Sequence, residues 1–183
     1  MNNYQLTFVT EALSEEREDE IIDKTGAVIS VAGNLTLVIV TWSGATCEAA
    51  AWAAARAIEE AGGRVQRLYL DLVNKAEIAA RCGVSRPTVG EWVLKKGPVT
   101  AFPVEHTWST GPLWAWGDVN EWLRRNMPKR CDSNCVPNVG EVTNFNAQWD
   151  IGEDPELHVV QLTQAPASRP AKTVSWELVG AAT

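Results

Sequence analysis

Histidine and cysteine are scarce in this chain of 183 residues: there are two histidines, His106 and His158, and four cysteines. The one close cysteine pair, Cys131 and Cys135, has no histidine near it, and a complete zinc site would have to recruit distant groups. That pair is expected to be a simple loop, with no metal. Cys47 and Cys82 fall in helix-like segments, where a reduced, half-buried thiol is the ordinary case. Long apolar runs are missing too. The longest aliphatic stretch, Leu35 to Val40 with Thr36 inside it, is far short of the about 20 residues a membrane helix requires. Met1-Asn2-Asn3-Tyr4 puts no basic region ahead of an apolar core, so no signal peptide is expected, and the reducing cytoplasm is the expected compartment. A Gly-rich phosphate loop, a nucleophile–base pair and a prominent carboxylate pair are also lacking, so neither an enzyme nor a bound cofactor is expected.

Positive charge is in short supply as a total, with 16 Lys and Arg against 23 Asp and Glu and a net charge of −7. Phosphate binding needs basic residues, so the total argues against nucleic acid. Its distribution does not. Residues 1–73 hold eleven acids and five bases, residues 74–130 nine bases and five acids, and residues 131–183 seven acids and two bases. One basic segment between two acidic ones points to a nucleic-acid or acidic-partner site in the middle.

The first 73 residues alternate element types. Tyr4 to Thr10 has the polar–apolar alternation of a half-buried strand. Ser14 is placed to cap a helix whose first turns crowd Glu15 to Glu20, and acids there suit the helix dipole. Gly26 ends it. The acidic run Glu15–Asp23 is expected to be a solvated face. Ala27 to Ala32 and Asn34 to Trp42 are β-branched-rich runs joined by Gly33-Asn34, which is hairpin chemistry. Ser43 or Thr46 caps a second helix through Ala49 to Ala61, stopped by Gly62-Gly63, and Arg64 to Val73 alternates again. Strand, helix, strand, strand, helix, strand is the order of a ferredoxin-like sandwich, an antiparallel sheet with two helices on one face, so the predicted class is α+β. Trp42 and Trp52 are expected in its core or at a dimer contact. Such a domain serves dimerisation or sensing, and its fold does not name a function.

The basic middle is more specific. Asn74 caps a helix, Lys75 to Cys82, with Glu77 placed for a capping box. Gly83 supplies a turn that tolerates positive φ, and Ser85 caps a second helix running through Pro87 to Lys96. Ala79 permits close crossing, and Ile78, Cys82, Val84, Val89 and Trp92 supply a small core. Together these make a helix-turn-helix. Arg86, Thr88, Glu91 and Lys95 are its outward positions, suited to phosphates or base edges in a major groove. A strand-like stretch, Val104 to Thr107, follows Phe102-Pro103. After Trp108-Ser109-Thr110-Gly111 come Pro112 to Trp116 and a helix beginning at Gly117-Asp118. Trp92, Trp114, Trp116 and Trp122 are expected in the core.

The set Ala76-Glu77-Ile78-Ala79, Gly83-Val84-Ser85, Thr88-Val89, Trp92, Phe102-Pro103, Leu113-Trp114, Asp118-Val119 and Trp122-Leu123 resembles the winged helix-turn-helix of the MerR superfamily, in its AlpA- and excisionase-like branch, over residues 72–126. The resemblance implies a recognition helix, Ser85 to Lys96, in the major groove of double-stranded DNA and a hairpin wing against the backbone or minor groove. Lys75, Ser85, Arg86, Thr88, Glu91, Lys95 and Lys96 would then serve the groove and its phosphates, and His106, Ser109 and Thr110 the wing contacts. It also implies a bacterial or phage origin.

Met127-Pro128-Lys129-Arg130 forms a basic tail to that domain. Residues 131–183 turn acidic, with Leu157 to Thr163 and Thr173 to Val179 strand-like, so they are expected to be a docked hairpin or a partly disordered segment. Three domains are thus expected: 1–73, 74–130 and 131–183. The expected function is a sequence-specific DNA-binding transcriptional regulator acting as a homo-oligomer. An architectural, excisionase-like factor and a protein–protein adaptor are the alternatives.

Overall fold

The computed structural model describes residues 1–94 and 101–152. Among them the chain is mixed α and β, with six helices and two antiparallel sheets. None of these helices is long and apolar enough to cross a membrane.

Strand β1 (Asn2–Thr10) leads through α1 (Glu15–Thr25) to the hairpin β2 (Val28–Ala32) and β3 (Leu35–Gly44), then through α2 (Cys47–Glu60) to β4 (Val65–Leu68). The sheet order is β2-β3-β1-β4, with every pairing antiparallel. Alternation puts Leu6, Phe8, Val38 and Val40 on the buried face under Ile21, Ala51, Ala54 and Ile58 of the helices. Burying each large aliphatic side chain contributes about 1.5–3 kcal/mol. The acids of α1 are exposed as expected except Glu18, which is half-buried, and Gly26 closes that helix in the left-handed region at φ 66°. Ser14 makes no side-chain cap; its carbonyl accepts instead from Arg17 and Glu18. Thr46 caps α2 through Ala49 N–H.

The continuous strand expected from Arg64 to Val73 is not formed. Only Val65–Leu68 pairs with β1, whereas β5 (Leu72–Val73) joins a second sheet. In that sheet β5 pairs with β7 (Pro112–Ala115), which pairs with β6 (Thr107–Trp108). The break has a steric cause: Val73 is anchored in a second hydrophobic cluster with Ile78, Val89 and Trp114, and one strand cannot serve both cores. Residues 101–105 carry no regular structure, so the strand expected over Val104 to Thr107 is not formed there and β6 starts at Thr107.

Between β5 and β6 lie α3 (Lys75–Cys82) and α4 (Arg86–Leu94); α5 (Trp116–Asn126) follows β7. Trp92, Trp114 and Trp116 are buried there as expected, and Trp122 packs against the same cluster.

A last helix, α6 (Val139–Ile151), was not anticipated. It returns to the first sheet, where Phe145 packs edge-on to Phe8 and stacks on Trp149, and both contact Trp52. Asn146 grips the outer edge of β4, accepting from Leu68 N–H at 2.7 Å and donating to its carbonyl at 3.0 Å. Trp149 Nε1 donates to Val65 O. Residues 1–152 form one compact unit with two hydrophobic clusters, so the change of cluster falls near residue 73 but the chain beyond 131 completes the first core. The strand-like segments 157–163 and 173–179 lie outside the described residues. Replacing Asn146 with leucine is expected to cost about 1–3 kcal/mol, because it strands a main-chain donor and acceptor of Leu68. A urea melt unchanged from wild type would show that α6 does not cap this edge.

Candidate nucleic-acid interface

The helix pair closes as its residues dictate. Asn74 Oδ1 accepts from the N–H of Ala76 and Glu77 at 2.8 and 3.1 Å, and Glu77 accepts from Asn74 N–H at 2.7 Å, completing the capping box. Gly83 sits at φ 63°, ψ 40°, a conformation that costs a residue with a Cβ, and lets Val84 N–H reach back to Ala79 O at 2.9 Å. Ile78 and Val89 are fully buried where the helices cross, with Ala79, Cys82 and Trp92 beside them. Burial raises the pKa of the Cys82 thiol, only partly offset by Arg130. Burial, then the Glu141 carboxylate, raises that of Cys47 much further. Neither is a ready nucleophile.

The beginnings of α3 and α4 and the turn of the hairpin meet at a cleft of about 370 Å³, lined by Asn74, Lys75, Ala76, Arg86 and Thr110 to Leu113. Two helix N-termini carry partial positive charge, which suits an anion, while the N–H groups of Ala76, Glu77 and Thr88 are already taken by Asn74 and Ser85. Lys75 and Arg86 add two full charges, and no acidic side chain is among the lining residues. For a chain of net charge −7 this is a local reversal of sign. A larger cleft of about 420 Å³ lies against the other face of the first sheet, but Asp71 and Asp132 line it and its one cation, Arg81, is already paired with Asp71. It is unsuited to phosphate.

Of the expected contact residues, Lys75, Arg86 and Thr110 are brought together in the smaller cleft. Ser85, Glu91, His106 and Ser109 are exposed on the same helix pair and hairpin but do not line it. Thr88 is half-buried rather than outward, its hydroxyl 2.8 Å from Ser85 Oγ, so it serves the start of α4. Lys95 and Lys96 lie outside the described residues. The outward face of α4 is instead Arg86, Pro87, Glu91 and Leu94, with Leu94 78% exposed.

Much of the segment's positive charge is committed within the chain. Arg81 forks onto Asp71 and lies over the Trp116 ring. Arg124 donates to the carbonyls of Asp132 and Asn134, Arg125 pairs with Glu121, and Arg130 donates to Cys82 O at 2.8 Å, tying the basic tail to the helix turn. Arg86, exposed, and Lys75, half-buried with its ammonium over the Trp114 ring, are the cations that line the cleft. Trp108 was not singled out by sequence reasoning, yet it stands 71% exposed beside the hairpin turn. Its position among Thr107, Ser109 and Thr110, polar residues at a hairpin tip, was the available signal. Cys131 Sγ donates to Pro128 O, and the Cys135 backbone bridges β1 through Asn3 and Gln5. Among the described residues, no three His, Cys, Asp or Glu side chains are grouped to hold a metal ion.

Comparison with protein-family models, with curated proteins and with solved structures gives no match.

Proposed function

We propose that this chain is a sequence-specific double-stranded DNA-binding protein, a regulator of the MerR/AlpA-like winged helix-turn-helix kind, whose first α+β layer is ferredoxin-like. The single observation that carries this is the acid-free cleft where the N-termini of α3 and α4 meet the hairpin turn with Lys75 and Arg86 in its lining. The sheet order β2-β3-β1-β4 supports the ferredoxin-like assignment, and the β5-β7-β6 sheet beside α3 and α4 supports the wing. In this reading α4 enters the major groove from its Arg86 end, Lys75 holds a phosphate, and Trp108 and Thr110 meet the backbone beside it. Phosphate contacts set register, and Arg86 reads a base edge.

Selection from a random duplex pool, followed by salt titration of the winners, tests it. A short enriched motif with affinity falling steeply with salt is expected, and no enrichment with weak binding at low salt would refute it. Within that assay, Arg86→Ala is expected to cost about 1–3 kcal/mol and relax preference at one position, while Lys75→Ala should weaken all sequences alike and reduce the salt slope by about 1. Equal affinity of Arg86→Ala and wild type would remove Arg86 from the contact.

A protein–protein adaptor is the second reading, favoured by the apolar outward residues Pro87 and Leu94 of α4. It requires activity that survives loss of both Lys75 and Arg86. An excisionase-like architectural role would show instead as sharp bending of the selected duplex.

A further inference from the structure

We propose that two copies of this chain associate through the outer edge of β2, as an antiparallel β2–β2 pairing about a twofold axis at Ser30. An open strand edge is a template for another strand, and proteins blunt such edges with charges, proline, bulges or a covering element. The two edges of the first sheet are treated differently. The β4 edge is covered: Asn146 and Trp149 of α6 bond the main-chain groups of Leu68 and Val65. The β2 edge has no such cover among the described residues, and its sequence, Val28-Ile29-Ser30-Val31-Ala32, contains no charge and no proline. No charged residue occurs anywhere between Lys24 and Glu48.

Register fixes which groups face outward. Gly33 and Asn34 separate the paired residues Ala32 and Leu35, so these exchange both main-chain bonds, and alternation makes Ser30–Leu37 and Val28–Ile39 bonded pairs too. The N–H and C=O groups of Ile29 and Val31 therefore point away from β3. Placed antiparallel about Ser30, Ile29 of one copy meets Val31 of the other and each pair exchanges both bonds, so the edge is complementary to itself. The side chains agree. Val31 is 67% exposed although it pairs with buried Thr36 on the helix-covered face, and Ile22 of α1, the helix packed beside β2, is 41% exposed. In the pairing Val31 would be covered by Ile29 of the second copy, on the face from which Ile22 is exposed. A partner without this symmetry would gain the main-chain bonds but not that reciprocal burial.

This pairing depends on the sheet edge alone, so it holds or fails independently of DNA binding. Sedimentation velocity of the full chain without DNA is expected to show a dimer. Because each copy carries net negative charge, the dimer should tighten as salt rises, the opposite sign to DNA binding. Val31→Lys, at an exposed position, should give a monomer with unchanged far-UV circular dichroism. Ser30→Cys should cross-link into a disulfide dimer under copper phenanthroline, since opposed residues without a bonded pair have Cα atoms about 4.5 Å apart, within the disulfide range. Thr41→Cys, exposed on the same sheet, should not. A wild-type monomer at every concentration would leave the edge to a strand from another protein and overturn the pairing. So would a dimer that survives Val31→Lys and gives no Ser30→Cys cross-link.

Discussion

Val89→Asp is expected to unfold the α3–α4 pair and abolish any binding that depends on it. Val89 is 0% exposed, in a cluster with Ile78, Cys82, Trp92 and Trp114. A carboxylate there has no cation within the cluster to pair with, and burying an unpaired charge drives the group to stay protonated or the structure to open. The loss is expected to reach about 4 kcal/mol, at the far end of what single substitutions do. Its pH dependence has a definite sign. Burial raises the introduced group's pKa in the folded state, so the folded variant is least penalised at low pH and loses stability as pH rises past the ordinary carboxylate range. A denaturant melt followed by tryptophan fluorescence, at pH 4 and pH 7, checks both parts. Val89→Ile, which keeps the site apolar, should stay much closer to wild type. A melt of Val89→Asp equal to wild type would mean that the helices do not close on this residue.

Gly117→Ala is the second large effect, and nothing in the local sequence announces it. Gly117 lies in the first turn of α5, where the segment leading to α6 crosses it. A Cβ there would overlap the carbonyl oxygen of Pro137 and stand 2.8 Å from the Asn138 nitrogen. Backbone cannot rotate aside as a long side chain does. The segment from Cys135 to Asn138 must therefore move, and with it the hydrogen bonds from Cys135 to β1 and the seating of Phe145 and Trp149. The cost is expected to exceed the about 1–3 kcal/mol of ordinary overpacking. Limited proteolysis should then cut near α6 while α3 and α4 stay protected. Gly90→Ala is the control: its added methyl meets nothing within 4 Å, and a helix interior gains about 0.5–1 kcal/mol from losing glycine. If Gly117→Ala melted like that control, the crossing at Pro137 would not be as close as described.

Most of what the sequence determined by itself is local. Period and punctuation placed β1, α1, the β2–β3 hairpin and α2, because alternation, Gly26, Gly33-Asn34 and Thr46 act within a few residues of where they stand. The helix pair was legible for the same reason: Asn74 with Glu77, Gly83, and the small and apolar positions around Ala79 and Val89 are satisfied inside one short span. Lys75 and Arg86 were named as candidates on that basis, and Thr110 through the resemblance of the surrounding hairpin to a wing.

What only the tertiary structure decided depends on distant partners. Arg64 to Val73 has one alternating pattern, yet it divides, since pattern says which side of a strand is buried and not against which core. Helix α6 does carry local signals, an Asn138–Glu141 capping box and Val142, Phe145 and Trp149 at i, i+3 and i+7, but not the surface it packs on: Phe145 and Trp149 meet Phe8 and Trp52, more than 90 residues earlier. Counting charge along the chain found the basic segment but not its use. Arg81, Arg124, Arg125 and Arg130 hold the protein's own carboxylates and carbonyls, whereas Lys75 and Arg86, 11 positions apart, reach one cleft because the turn at Gly83 folds two helix N-termini toward the same hairpin. A charge contributes to a binding surface only when nothing inside the fold neutralises it first, and that is settled by proximity in space, which the order of residues does not contain.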